Sequence, residues 1–224
     1  MSGVGKFTPR SASASTNQPK SRAEAEALLK KFLDVKQTGP DTYALGSITL
    51  NTTQRTVTIP AFVNMQDGLI EYALVTESGK RHESLFYTKA SAEQVHLASL
   101  LLGATSASDT RIAVDVTWKK HGPAASYPLE SLVVLKDASE REGNALSGSE
   151  WMYTGSYICG EGFAAQVEGS IIALISDNAA LASNPRDDRK NDDIHYPNSR
   201  LLPGKDMPVT IVLKFPSSQK GGTQ

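Results

Sequence analysis

Apolar residues fall at two spacings along this chain, and the change between them marks where helix gives way to sheet. Leu28, Phe32 and Val35 recur at a helical spacing, and Leu29 and Leu33 widen the stripe. Ser21 and Glu24 precede it at capping-box spacing, which satisfies two orphan amides at a helix start. Lys30, Lys31 and Lys36 lie toward the far end, where cations favour the dipole, and Gly39-Pro40 stops the pattern. The expectation is an amphipathic N-terminal helix that docks on its own domain.

From Tyr43 the period is two. YALGSITL and TVTIPAFVN read as strands around the polar turn 51–55. LIEYALVT and ESLFYT read as a second pair joined through Ser78-Gly79-Lys80. A second helix starts at the Ser91/Gln94 capping box and stops at Gly103. Its body, VHLASLLL, is apolar nearly all round, which predicts a buried central helix. In RIAVDVTW, Ile112, Val114, Val116 and Trp118 alternate with Ala113, Asp115 and Thr117, a strand with one wet face. LESLVVLKD fits either a strand or a short helix. WMYTGSYI, FAAQVEG, SIIALIS and MPVTIVLKF read as further strands, separated by polar loops at 137–149 and 184–206. The expected fold class is α+β: a mainly antiparallel sheet of about nine strands, one buried central helix and one N-terminal amphipathic helix.

Composition narrows this picture. At 224 residues, 39% hydrophobic and 21% charged, the chain is an ordinary globular one. Residues 1–20 are rich in Ser and Ala, carry Lys6, Arg10 and Lys20 without any acid, and predict an unstructured basic arm. The expected division is that arm, a single domain over 21–216, and an unstructured tail over 217–224. The net charge of −1 supplies no basic field for nucleic acid. The longest apolar runs are far short of the about 20 residues of a membrane-spanning helix. Cys159 is the single cysteine, so an internal disulfide and an iron–sulfur ligand set are excluded.

Strong catalytic motifs are absent. There is no phosphate-cradling P-loop and no G-x-S-x-G elbow. His82-Glu83 opens like H-E-x-x-H, but Phe86 stands at the fifth position. Gly160–Ala165 matches G-x-G-x-x-A, which a hairpin turn explains better because FAAQVEG reads as strand rather than helix. His82 and Glu83 open one strand, and His96 lies on the helix that follows. If strand and helix pack, the two imidazoles and the carboxylate could hold a divalent metal with open positions for water. The plainer reading is that they are hydrogen-bonded architecture. Ser84 shares a strand face with His82, which raises a serine hydrolase as a further alternative. Cys159 stands near the acid Glu161, which disfavours a thiolate nucleophile. Trp151, Tyr153 and Tyr157 fall on one face of a strand, as core or as a binding platform. The run Arg186–Asp193 is acidic but lacks the ligand order of a calcium loop.

KRHESLFYT, VHLASLLLG, WMYTGS, FAAQVEGSIIALI and LLPGKDMPVTIVLKF, in that order, resemble the successive blocks of the YdjY-type domain, a poorly characterised bacterial family. The resemblance runs from about Ser47 to Phe215. Its most specific parts are H-E-S at His82–Ser84, V-H-x-A at Val95–Ala98 and T-G-S at Thr154–Ser156. It implies an extracytoplasmic setting: periplasmic or extracellular if a leader was trimmed, with a lipid anchor on that leader, and otherwise cytoplasmic. Some relatives carry an iron–sulfur label that one cysteine cannot support. The resemblance supplies no established activity.

The expectation is therefore a non-catalytic extracytoplasmic module for a protein partner or surface ligand. Its candidate residues are His82, Glu83, Ser84, His96, Trp151, Tyr153 and Ser156. No cofactor is expected; the alternatives are a metal-dependent site on His82, Glu83 and His96 and a hydrolase using Ser84.

Overall fold

The computed structural model describes residues 35–104, 110–119, 124–136 and 143–216. The predicted arm and tail, and residues 21–34 of the predicted first helix, lie outside them. The end of that helix is corrected: β1 (Val35–Gly39) is a strand that pairs with β2 (Thr42–Leu45). YALGSITL is likewise a hairpin rather than one strand. Gly46, at φ +58°, turns β2 into β3 (Ile48–Asn51), and β4 (Thr56–Val63) follows.

The chain continues through β5 (Tyr72–Thr76), β6 (Ser84–Thr88), helix α1 (Ala92–Leu101), β7 (Arg111–Lys119), β8 (Ala124–Pro128), β9 (Val133–Leu135) and β10 (Asn144–Ala145). Next come β11 (Trp151–Tyr153), β12 (Ile158–Cys159), β13 (Gly162–Phe163), α2 (Ala164–Glu168), β14 (Ser170–Ala173), β15 (Ala182–Ser183), β16 (His195–Pro197) and β17 (Pro208–Lys214).

The α+β expectation is overturned. Eight strands close on themselves in the order β4-β17-β7-β11-β15-β14-β5-β6, with β6 returning to β4. The protein is a closed barrel, extended by β1–β3 beyond β4 and by β8 beyond β7. Closure removes the open edges that a flat sheet would leave. β9, β10 and β16 make a separate three-stranded sheet, and β12 with β13 a small hairpin.

The period-two reading of the long strands holds, and it explains the barrel's filling. Val57, Ile59, Ala61 and Val63 of β4, the four predicted β7 residues, and Val209, Ile211 and Leu213 of β17 are all buried. Ile211 stands opposite Ile59 on one side and Val116 on the other, so the rows continue across three strands. Pro60 sits where β4 changes neighbour on one edge, between its pairing with β3 and its pairing with β6. A missing N–H costs no ladder bond there.

Two seams depart from the antiparallel expectation: β5–β6 and β14–β15 are parallel. A seven-residue link predicts a hairpin for β5 and β6, but the chain runs back through a 3₁₀ turn at Arg81–Glu83 instead. LESLVVLKD contains both elements it allowed, a 3₁₀ turn at Leu129–Leu132 followed by β9.

α1 is not the buried central helix. It packs against β3, β4 and α2 with one side only, burying Ala92, Val95, Ala98 and Ser99. Leu100 and Leu101 remain exposed. Ser99 closes its hydroxyl on the Val95 carbonyl at 2.8 Å, so the buried polar group is satisfied within the helix. Gly103 ends α1 as predicted. At φ +82° it allows the paired bonds Gly103 N–H to Leu100 O and Ala104 N–H to Ser99 O of a Schellman motif. No helix among the described residues is long and apolar enough to cross a membrane.

Candidate functional site

The sequence-derived candidates separate in space. His82 lies on the 3₁₀ turn before β6 with its side chain 79% exposed, and its Nε2 is 3.6 Å from Glu83. Ser84 is fully buried. Its hydroxyl accepts from Asn64 Nδ2 at 3.2 Å and lies 3.4 Å from the Arg81 carbonyl, and none of the imidazoles among the described residues bonds to it. The shared face of His82 and Ser84 fails because His82 is in the turn, not in the strand. Among the described residues, no three His, Cys, Asp or Glu side chains gather where they could hold a metal, so His82, Glu83 and His96 do not form the ligand set that their order suggested.

Trp151 and Tyr153 are core residues, at 0% and 2% exposure. Trp151 donates its indole N–H to Glu130 at 3.2 Å. The strand ends at Tyr153, so Tyr157 does not continue their face and is exposed instead.

His96 and Ser156 do come together, in a cleft of about 520 Å³. One wall is α1, with Glu93, His96, Leu97 and Leu100. The other runs from Gly155 through Ser156, Tyr157 and Ile158 to Phe163. Two blocks that carried the resemblance, Val95–Ala98 and Thr154–Ser156, thus meet at one place.

At the base, His96 Nδ1 and the Tyr153 hydroxyl share a hydrogen bond of 2.7 Å. The His96 ring packs on Phe163 with centroids 4.8 Å apart. Burial lowers the His96 pKa below the ordinary 6.5, so the ring is neutral at pH 7. Burial likewise raises the Tyr153 hydroxyl above its ordinary value, so it keeps its proton. The base is therefore an uncharged polar pair set among apolar groups.

The walls are fastened by helix caps supplied from elsewhere in the chain. Gly155 and Ser156 are both left-handed, at φ +75° and +59°, which turns the backbone sharply after β11. The Ser156 hydroxyl then accepts from Ala165 N–H at 3.0 Å, at the start of α2. One turn into α2, Gln166 Oε1 accepts from Ser91 Oγ at 2.8 Å and Ala92 N–H at 2.9 Å, at the start of α1. Ser91 itself makes no side-chain cap, so the predicted capping box is replaced by a cap from Gln166. At the other end of α1, Arg55 donates to the Leu102 carbonyl. The G-x-G-x-x-A segment is a hairpin turn at Cys159–Gly162, as expected, but FAAQVEG is helical rather than extended.

The sequence reading passed over a buried network in the 184–206 loop. Asp188 accepts from His195 Nε2 at 3.0 Å and from the Asn184 amide, and Arg186 donates to Asn184 Oδ1 at 3.0 Å. The Arg186 guanidinium also lies 5.2 Å from the Trp151 ring centroid. Asp188 is thus held by protein donors, which ties this loop down. Asn184, Arg186 and Asp188 are neighbours in sequence, and His195 joins them from β16, which pairs with β9.

Comparison with known proteins gives one family: the model of the YdjY domain matches residues 48–214. No curated protein and no solved structure matches the chain. Because the matched stretch contains every strand of the closed barrel, the cleft and both of its helices, the chain belongs to the YdjY domain family.

Proposed function

We propose that this domain is a binding module whose cleft between α1 and the β12–β13 hairpin receives an apolar group of a peptide ligand. The observation that carries the reading is where large apolar side chains are left in water. Leu100, Leu101, Tyr157, Ile158 and Val167 are exposed on α1, the hairpin segment and α2, with Ile158 at 77%. Leu69 and Met207 are the other large ones among the described residues. Single exposed apolar residues mean little, but a cluster rimmed by polar groups marks a binding surface. Its support is rigid, since both walls are tied by the caps from Ser156 and Gln166. At the base, the neutral His96 imidazole and the protonated Tyr153 hydroxyl set a polar pair that can orient such a ligand by hydrogen bonds.

An environment-sensitive apolar dye, anilinonaphthalene sulfonate, tests this. Saturable binding to the full chain is expected to weaken about tenfold in Ile158→Asp, with an unchanged circular dichroism spectrum. Equal binding by the two proteins would sink the reading.

A further inference from the structure

The cleft lies next to the point where the chain enters the described fold. Val35 pairs with Leu45, and Leu45 runs into Gly46. A Cβ on Gly46 would stand 2.5 Å from the Gln94 amide nitrogen, so this turn touches α1. Gln94 adjoins Glu93 and precedes Leu97 by three residues, and both of those line the cleft. The chain ahead of Val35 therefore leaves the barrel beside the helix that forms one wall. In that preceding segment the sequence sets Leu28, Leu29, Phe32 and Leu33 as a stripe of helical period. Leu28 is seven residues from Val35, a reach of about 24 Å extended or about 10 Å as helix. An amphipathic stripe needs an apolar face to cover it, and the wall of Leu97, Leu100, Tyr157 and Ile158 offers one on the helix that this attachment adjoins.

We infer that residues 21–34 of this chain dock in the cleft in cis, as an internal occupant that competes with the external ligand. This rests on the binding reading above and adds a regulatory step to it. The tether keeps the stripe at high effective concentration, so an outside peptide must displace it or meet the chain after it has been drawn away. Glu93 lines the cleft, and the proposed occupant carries the opposite charges of Lys30 and Lys31.

Cys159, the single cysteine, adjoins Ile158 at the cleft and gives a direct probe. In the full chain, Lys31→Cys treated with a short bismaleimide is expected to cross-link to Cys159 within one molecule, at a yield independent of protein concentration. Ser11→Cys, outside the stripe, is expected to stay uncoupled. Phe32→Asp in the full chain is expected to tighten binding of anilinonaphthalene sulfonate about tenfold, by removing the competitor. The gain should vanish in Phe32→Asp with Ile158→Asp. Cross-linking only between molecules would assign the cleft to a second copy and overturn the inference. Unchanged dye binding in Phe32→Asp, with Ile158→Asp still weakening it, would overturn the cis occupant and leave the cleft standing. If Ile158→Asp has no effect in either background, the binding reading itself falls.

Discussion

His96 and His82 show how little a residue type says until its surroundings are known. Both stood out in the sequence, yet one is neutral at the base of a cleft and the other is in water. Removing the His96 ring takes away the imidazole partner of the Tyr153 hydroxyl, leaving it the His96 carbonyl at 3.5 Å, and opens a gap beside Phe163. His96→Ala is expected to cost about 1–3 kcal/mol in a urea titration. The pH response follows from the lowered folded-state pKa. The unfolded imidazole takes a proton first as pH falls, so stability present above about pH 6.5 is lost as pH drops through the folded value. Melting temperatures between pH 7 and pH 5 should therefore fall less steeply in His96→Gln than in the natural chain; parallel slopes would contradict a ring held neutral by burial. His96 was legible because it interrupts an otherwise apolar helix. Ile158 was not. Alternation carried WMYTGSYI forward as one strand, and the two left-handed residues at Gly155 and Ser156 break the alternation, so the pattern could not say which side chains end in solvent.

α1 shows the same limit for whole elements. Its position along the chain and its Gly103 stop could be read from sequence, because caps and apolar content are local signals. Its packing against β3, β4 and α2 could not, because that depends on which strands come together beneath it. The short α2 was misread as strand because five residues give no room for a helical period to declare itself. Yet α2 carries Gln166, whose side chain caps α1. Gln166→Ala is expected to lower stability by about 1 kcal/mol, while Gln166→Glu should retain most of it, since a carboxylate both accepts the amides and favours the helix start. Thermal melts of the two variants check this; equal losses would mean that the amides find other partners. The join after α2 is equally exacting. Gly169 is left-handed at φ +72°, and a Cβ there would stand 2.5 Å from the Gly79 Cα. No side chain fits between these two backbones.

At the scale of the molecule, strand faces were legible and strand neighbours were not. Period-two patterns identify which side chains turn inward on β4, β7 and β17, but any number of closed or open orders would bury them equally. The structure chooses a ring whose seams are uneven. β17 pairs with β4 over seven positions and with β7 over five, whereas β6 meets β4 at only two, Phe62–Tyr87 and Val63–Phe86. Amide exchange is expected to be slowest in β17, on the order of tenfold or more slower than at the β4–β6 seam. Ile211→Ala, in the middle of the strongest seams, should cost about 2–5 kcal/mol. Uniform protection around the ring would argue against this division.

The central place of β17 has a consequence for how the protein is made. β4 and β7 emerge from the ribosome long before the strand that belongs between them, with roughly 95 residues separating Val116 from Ile211. At typical synthesis rates that is a wait on the order of 5–20 s, during which two sticky rims have no mate. Assembly of the ring must therefore follow translation rather than accompany it, and a nascent chain stalled before Pro208 would be a substrate for chaperones.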